Sequence, residues 1–72
     1  MMEKQNITIT TDFIKLDSFL KLAGVVSTGG LAKMVITGGE VKVNGQICIM
    51  RGKKIYPGDT VFFEGQEFLV TA

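Results

Sequence analysis

The sequence predicts one small α+β domain, in which two short helices pack on a small, mostly antiparallel sheet flanked by N- and C-terminal strands. Three observations carry this. Apolar residues repeat at helical spacing in the first half of the chain, and the period changes to two from Val41 onward. Glycine, proline and asparagine turn signals then divide the second half into short segments.

Taken in order, Ile7-Thr8-Ile9-Thr10 alternates apolar and β-branched polar residues and predicts a short first strand. Leu16, Phe19, Leu20 and Ala23 fall on one helix face, with Asp17 in the first turn, where a carboxylate suits the helix dipole. Gly24 stands where that helix should stop. Ser27 or Thr28 is placed to cap a second helix, whose inward face is expected to carry Leu31, Met34, Val35 and the Gly38 neighbourhood. Gly38-Gly39 ends it.

Beyond it, Val41–Val43 and Gln46–Ile49 flank Asn44-Gly45, a strong two-residue hairpin signal because both residues tolerate positive φ. Arg51-Gly52-Lys53-Lys54 reads as a basic loop and Pro57-Gly58-Asp59 as a turn. Thr60–Phe63 and Glu67–Val70 complete the strands, with a turn at Gly65-Gln66. Seventy-two residues leave room for one core only, and a core of this size supplies roughly 3–5 kcal/mol. Residues 1–72 are therefore read as a single domain.

Net charge is +1, but it is unevenly spread. Residues 18–58 hold Lys21, Lys33, Lys42, Arg51, Lys53 and Lys54 against Glu40 alone. Residues 1–17 set Lys4 and Lys15 against Glu3, Asp12 and Asp17, while Asp59, Glu64 and Glu67 close the chain without a base. A basic middle between acidic flanks points to a polyanionic partner on one face.

Catalysis fits poorly. There is no histidine, and the carboxylates are scattered among turns and termini, so neither an acid–base pair nor a metal-ligand set is apparent. The single cysteine, Cys48, permits no intrachain disulfide, and within Ile47-Cys48-Ile49-Met50 it reads as a small core residue. Gly24 to Gly29 has P-loop spacing, yet Gly30 and Leu31 stand where that loop requires lysine and a hydroxyl residue. No cofactor is expected. The opening Met-Met-Glu-Lys-Gln-Asn shows no apolar leader core, and no apolar run approaches a membrane span, so a cytoplasmic protein is expected. A monomer is expected as well, although the sequence itself says little about oligomeric state.

The remaining chemistry suits a phosphate backbone. Gly29 and Gly30 either permit a tight connection with close helix packing or clear the approach of a phosphate to the second helix's N-terminal amides. Lys33, one turn on, could reach the same phosphate. The basic loop offers lysines as point charges and an arginine that can fork onto phosphate or guanine. Lys21 adds to this positive segment, and the Asn44 amide is a secondary candidate contact. The aromatics lie mostly in core-patterned segments and form no evident stacking platform. A competing reading, a ribosome-associated protein-interaction adaptor, would use an apolar patch near Met34, Met50 or Tyr56.

Lys15-Leu16-Asp17-x-x-Leu20, a second helix containing Ala32, Gly39-x-Val41-x-Val43-Asn44-Gly45, and Gly58-Asp59-x-Val61 together resemble the ribosomal-protein S4-type RNA-binding domain, or alpha-L motif, over about residues 15–63. With its flanking strands the whole chain is similar to small stand-alone bacterial members of the YaaA/YbcJ type, in which S/T-G-G-x-A-K recurs, here at Thr28 to Lys33. The resemblance implies a non-catalytic module that docks on structured RNA, ribosomal RNA or tRNA, through helix N-termini and the basic loop. It implies an RNA-facing set of Lys15, Ser27, Thr28, Gly29, Gly30, Lys33, Arg51, Lys53 and Lys54. Two positions depart from the usual pattern: lysine replaces arginine at Lys15, keeping charge without the fork, and the Gly-Gly segment replaces a Ser-Arg pair, removing a cation.

Overall fold

A computed structural model describes residues 3–72; Met1 and Met2, where the leader reading begins, lie outside the described residues. Nine elements follow in order: β1 (Glu3–Thr8), β2 (Ile14–Lys15), α1 (Leu16–Leu22), α2 (Gly29–Thr37), β3 (Val41–Val43), β4 (Gln46–Ile47), β5 (Lys54–Ile55), β6 (Thr60–Phe63) and β7 (Gln66–Thr71). Five strands form one sheet in the order β1-β7-β6-β3-β4, and β2 with β5 forms a separate two-stranded ribbon. The predicted fold is observed: two helices on a mostly antiparallel sheet, with β1 pairing parallel to β7 as the exception.

The core follows from strand alternation. Val41, Val43, Val61, Phe63, Phe68 and Val70 point to one face of the sheet and join Leu16, Phe19, Leu20, Ala32 and Ile36 from the helices in a single buried cluster. Phe19 meets Phe68 edge-on, ring centroids 6.1 Å apart, at the helix–sheet interface.

Both helices end in the same way. Gly24 (φ +77°) and Gly39 (φ +78°) occupy the left-handed position beyond each helix, a conformation that favours glycine. Val25 N–H donates to Leu20 O at 3.2 Å and Gly24 N–H to Lys21 O at 3.0 Å, and Glu40 N–H donates to Val35 O at 3.0 Å and Gly39 N–H to Ile36 O at 3.1 Å, the paired bonds of a Schellman ending on each helix.

Asn44 (φ +52°) and Gly45 (φ +83°) make the expected hairpin turn. The Asn44 side chain also joins that turn to the Pro57-Gly58-Asp59 turn. Its Nδ2 donates to Asp59 Oδ1 at 3.1 Å, and its Oδ1 accepts from Thr60 N–H at 2.9 Å. Asp59 Oδ2 accepts from Tyr56 N–H at 2.8 Å. Two motifs separate in sequence are thus one hydrogen-bonded unit in space.

Four expectations need correction. The inward face of α2 is Ala32 and Ile36 with half-buried Val35, whereas Leu31 (44% exposed) and Met34 (67%) face outward. Ala32, Val35 and Ile36 satisfy helical spacing equally well, and all three belong to or pack against the core. The strand predicted over Gln46–Ile49 stops at Ile47, so Ile47, Ile49 and Met50 are exposed and Cys48 is only half-buried, because β4 is a sheet edge with nothing beyond it. The first strand runs Glu3–Thr8, paired along its length with β7, instead of Ile7–Thr10. The last turn is Glu64-Gly65, both at positive φ, and Gln66 already belongs to β7.

Candidate nucleic-acid interface

All eleven candidate residues are exposed, and nine of them fall into two groups on neighbouring elements. The first and densest gathers around the β2–β5 ribbon. Lys15 and Lys54 are direct cross-strand partners in its antiparallel register. Like charges in that position destabilise a strand pair, and both lysines are exposed. Arg51 and Lys53 are tied into the same region through their backbones: Asp17 N–H donates to Arg51 O at 3.1 Å and Leu16 N–H to Lys53 O at 2.9 Å.

Those two bonds also settle what the start of α1 offers. Its first two amides are taken up by the basic loop, and the Ser18 amide donates to Asp17 Oδ1 at 2.7 Å. The start of the first helix therefore contributes the Lys15 side chain to the surface, and its amides bind the loop instead of an anion.

The second group lies at the start of α2, which is built differently. Thr28, extended at φ −138°, is the cap, and its Oγ1 accepts from Leu31 N–H at 3.1 Å. Among the described residues, no hydrogen bond takes up the Gly29 and Gly30 amides. Neither glycine is required by packing: a Cβ at Gly29 would meet nothing within 4 Å, and one at Gly30 only Thr28 Oγ1 at 3.8 Å. Close helix packing therefore does not explain the pair. What the glycines leave is an uncovered helix N-terminus, with Ser27, Thr28 and Lys33 exposed around it.

Asn44 and Lys21 complete the set. The Asn44 amide is engaged by Asp59 and Thr60, which gives it a positioning role in the turn. Lys21 lies in the last turn of α1, where a cation complements the helix dipole.

One pairing escaped the sequence reading. Phe13 and Tyr56, forty-three positions apart, meet beside the cationic ribbon with ring centroids 5.9 Å apart and planes tilted by 48°. Lys54 Nζ sits 4.8 Å from the Phe13 centroid, a cation–π contact. The sequence holds only a conditional signal: Phe13 lies two residues before Lys15 and Tyr56 two after Lys54, so once Lys15 and Lys54 pair antiparallel the aromatics come together.

Fold and site define a class: a small two-helix domain on a sheet, presenting a cationic ribbon and a basic loop. The S4 domain pattern matches residues 7–71, and the chain belongs to that family. It is 48% identical over 59 residues to RlbA of Bacillus subtilis, covering 82% of this chain and 83% of that protein, whose provisional name is ribosome maturation protein. It is 39% identical over 59 residues to YbcJ of Escherichia coli, covering 82% of this chain and 84% of that one, provisionally named an RNA-binding protein. A solution structure of Escherichia coli YbcJ, reported to reveal an alpha-L motif involved in RNA binding, superposes with a TM-score of 0.68 at 33% identity, covering 100% of this chain and 90% of the other.

Proposed function

We propose that this protein is a non-catalytic module that docks on structured RNA in the cytoplasm, with the Lys15–Lys54 ribbon, the Arg51–Lys54 loop and the start of α2 facing the phosphate backbone. The observation that carries this reading is the cross-strand lysine pair with the basic loop bonded onto the helix beside it. A phosphate backbone offers a row of anions to which several such cations bind at once, releasing counterions. The family supports an RNA partner, and the name of the 48%-identical relative favours ribosomal RNA over tRNA. No helix among the described residues is long and apolar enough to cross a membrane.

A glutamate at Gly30 separates folding from binding. The added side chain has open space, and a carboxylate in the first turn of a helix is stabilising by about 0.3–1 kcal/mol. Gly30→Glu is therefore expected to melt no lower than wild type while its affinity for structured RNA falls roughly tenfold, because the new carboxylate occupies the place meant for phosphate. Lys33→Glu should weaken binding similarly. Anisotropy titrations check both; a folded Gly30→Glu protein that binds like wild type would remove the start of α2 from the interface.

The exposed run Ile47, Ile49 and Met50, with Met34, favours a second reading, contact with ribosome-associated proteins. The two readings part on the basic loop, whose neutralisation disables an RNA binder and spares an apolar adaptor.

A further inference from the structure

The ribbon carries more than charge. Side chains alternate along β2 and β5, and Ile55, fully buried, with Ile14, packed against the core, occupies the inner face. Phe13, Lys15, Lys54 and Tyr56 consequently share the outer face. Two cations and two aromatics lie side by side there, the combination that proteins use for a nucleotide whose base is not paired.

Tyr56 is the aromatic that stands out. It is 47% exposed, whereas Phe19, Phe63 and Phe68 are core residues. Its backbone is fixed on both sides: Asp59 Oδ2 accepts from Tyr56 N–H at 2.8 Å, and Tyr56 O accepts from Asp59 N–H at 3.0 Å. Pro57 follows, which disfavours a helical backbone at Tyr56. Phe13 lies against the ring, with centroids 5.9 Å apart, and the hydrogen-bonded backbone beneath it reduces the freedom that an exposed π surface would lose on binding.

We infer that the outer face of the β2–β5 ribbon is a binding site for one unpaired nucleotide, with its base stacked on Tyr56 and its phosphate at Lys15 and Lys54. The inference rests on the RNA-binding reading and extends it from backbone contact to a flipped or looped base. The target is then structured RNA with an unpaired residue beside a helix, and uniform duplex lacks the element that Tyr56 reads. Stacking of this kind tolerates any base, so the site selects unpaired structure more than sequence.

Tyr56 is the sole tyrosine and the chain has no tryptophan, so its emission reports on this site directly. The probes are an RNA hairpin with an unpaired loop and the same stem closed as a blunt duplex. The hairpin is expected to quench Tyr56 emission on binding, and the duplex, bound at low salt, to leave it nearly unchanged. Tyr56→Phe should bind both RNAs like wild type. Tyr56→Leu, which keeps an apolar contact for Phe13, should lose on the order of tenfold in hairpin affinity and nothing for duplex, with an unchanged salt slope. Equal quenching by both RNAs, or undiminished hairpin binding by Tyr56→Leu, overturns the stacking site and leaves backbone binding standing. Failure of the wild-type protein to bind either RNA at low salt overturns the RNA-binding reading and the stacking site with it.

Discussion

Replacing Lys53 and Lys54 together by glutamine is expected to lower affinity for structured RNA by about one to two orders of magnitude near physiological salt. Each lysine that neutralises a phosphate contributes close to one unit of salt slope, so the slope of log K against log salt should become shallower by about 2. Lys54 also lies over the Phe13 ring, and losing that contact costs about 0.5–1 kcal/mol of stability, too little to unfold the domain. A thermal melt separates this small loss from the binding defect. Lys4→Gln is the matched control, since Lys4 is an exposed cation on β1, at the opposite edge of the sheet from β4 and outside the ribbon. It should change affinity little. If the double variant and the control bind alike, the basic loop is not the RNA-facing surface and the apolar adaptor reading gains.

The largest effect on folding is expected from Phe68→Ala. Phe68 is 0% exposed, sits on β7 between β1 and β6, and meets Phe19 edge-on. Truncating a fully buried phenylalanine costs about 3–5 kcal/mol, as much as a core of this size supplies. The variant should therefore show no cooperative melt above room temperature by far-ultraviolet circular dichroism. Leu69→Ala, one residue along and on the outer face of the same strand, is the contrast: Leu69 is 38% exposed and its truncation should cost under about 1 kcal/mol. Comparable losses at the two positions would mean that the sheet does not bury the face that carries Phe68.

What was legible in the sequence was mainly what single residues impose on the backbone. Gly24 and Gly39 mark the ends of the helices, Ser27 or Thr28 is placed to cap α2 (Thr28 does so), and Asn44-Gly45 can turn a hairpin because both accept positive φ. These demands are local, so they survive without knowledge of neighbours. Burial is not local, and there the reading failed in specific ways. Leu31 and Met34 are more apolar than Ala32, yet Ala32 is fully buried and they are exposed. Gln46–Ile49 read as a strand with Cys48 in the core, but the strand stops at Ile47 and no further strand covers the β4 edge, so Cys48 is only half-buried.

The site divides along the same line. Its cations could be listed from composition and the family resemblance, while their grouping could not. A two-residue strand has no detectable period, so nothing announced that Ile14-Lys15 would pair with Lys54-Ile55. The Phe13–Tyr56 contact, the closed start of α1 and the Asn44–Asp59 bond all depend on long-range partners. The open start of α2 is intermediate: Gly29 and Gly30 raised the question, and the free space around them answered half of it.

The most direct test of the central claim is a salt titration of binding, by fluorescence anisotropy, to a structured ribosomal RNA fragment with a single-stranded control. Contact with four to six phosphates predicts tight binding to the structured fragment at low salt and a slope of log K against log salt of about −3 to −5. A slope near zero, or no binding at low salt where electrostatic attraction is strongest, would contradict the assignment of this cationic surface to RNA.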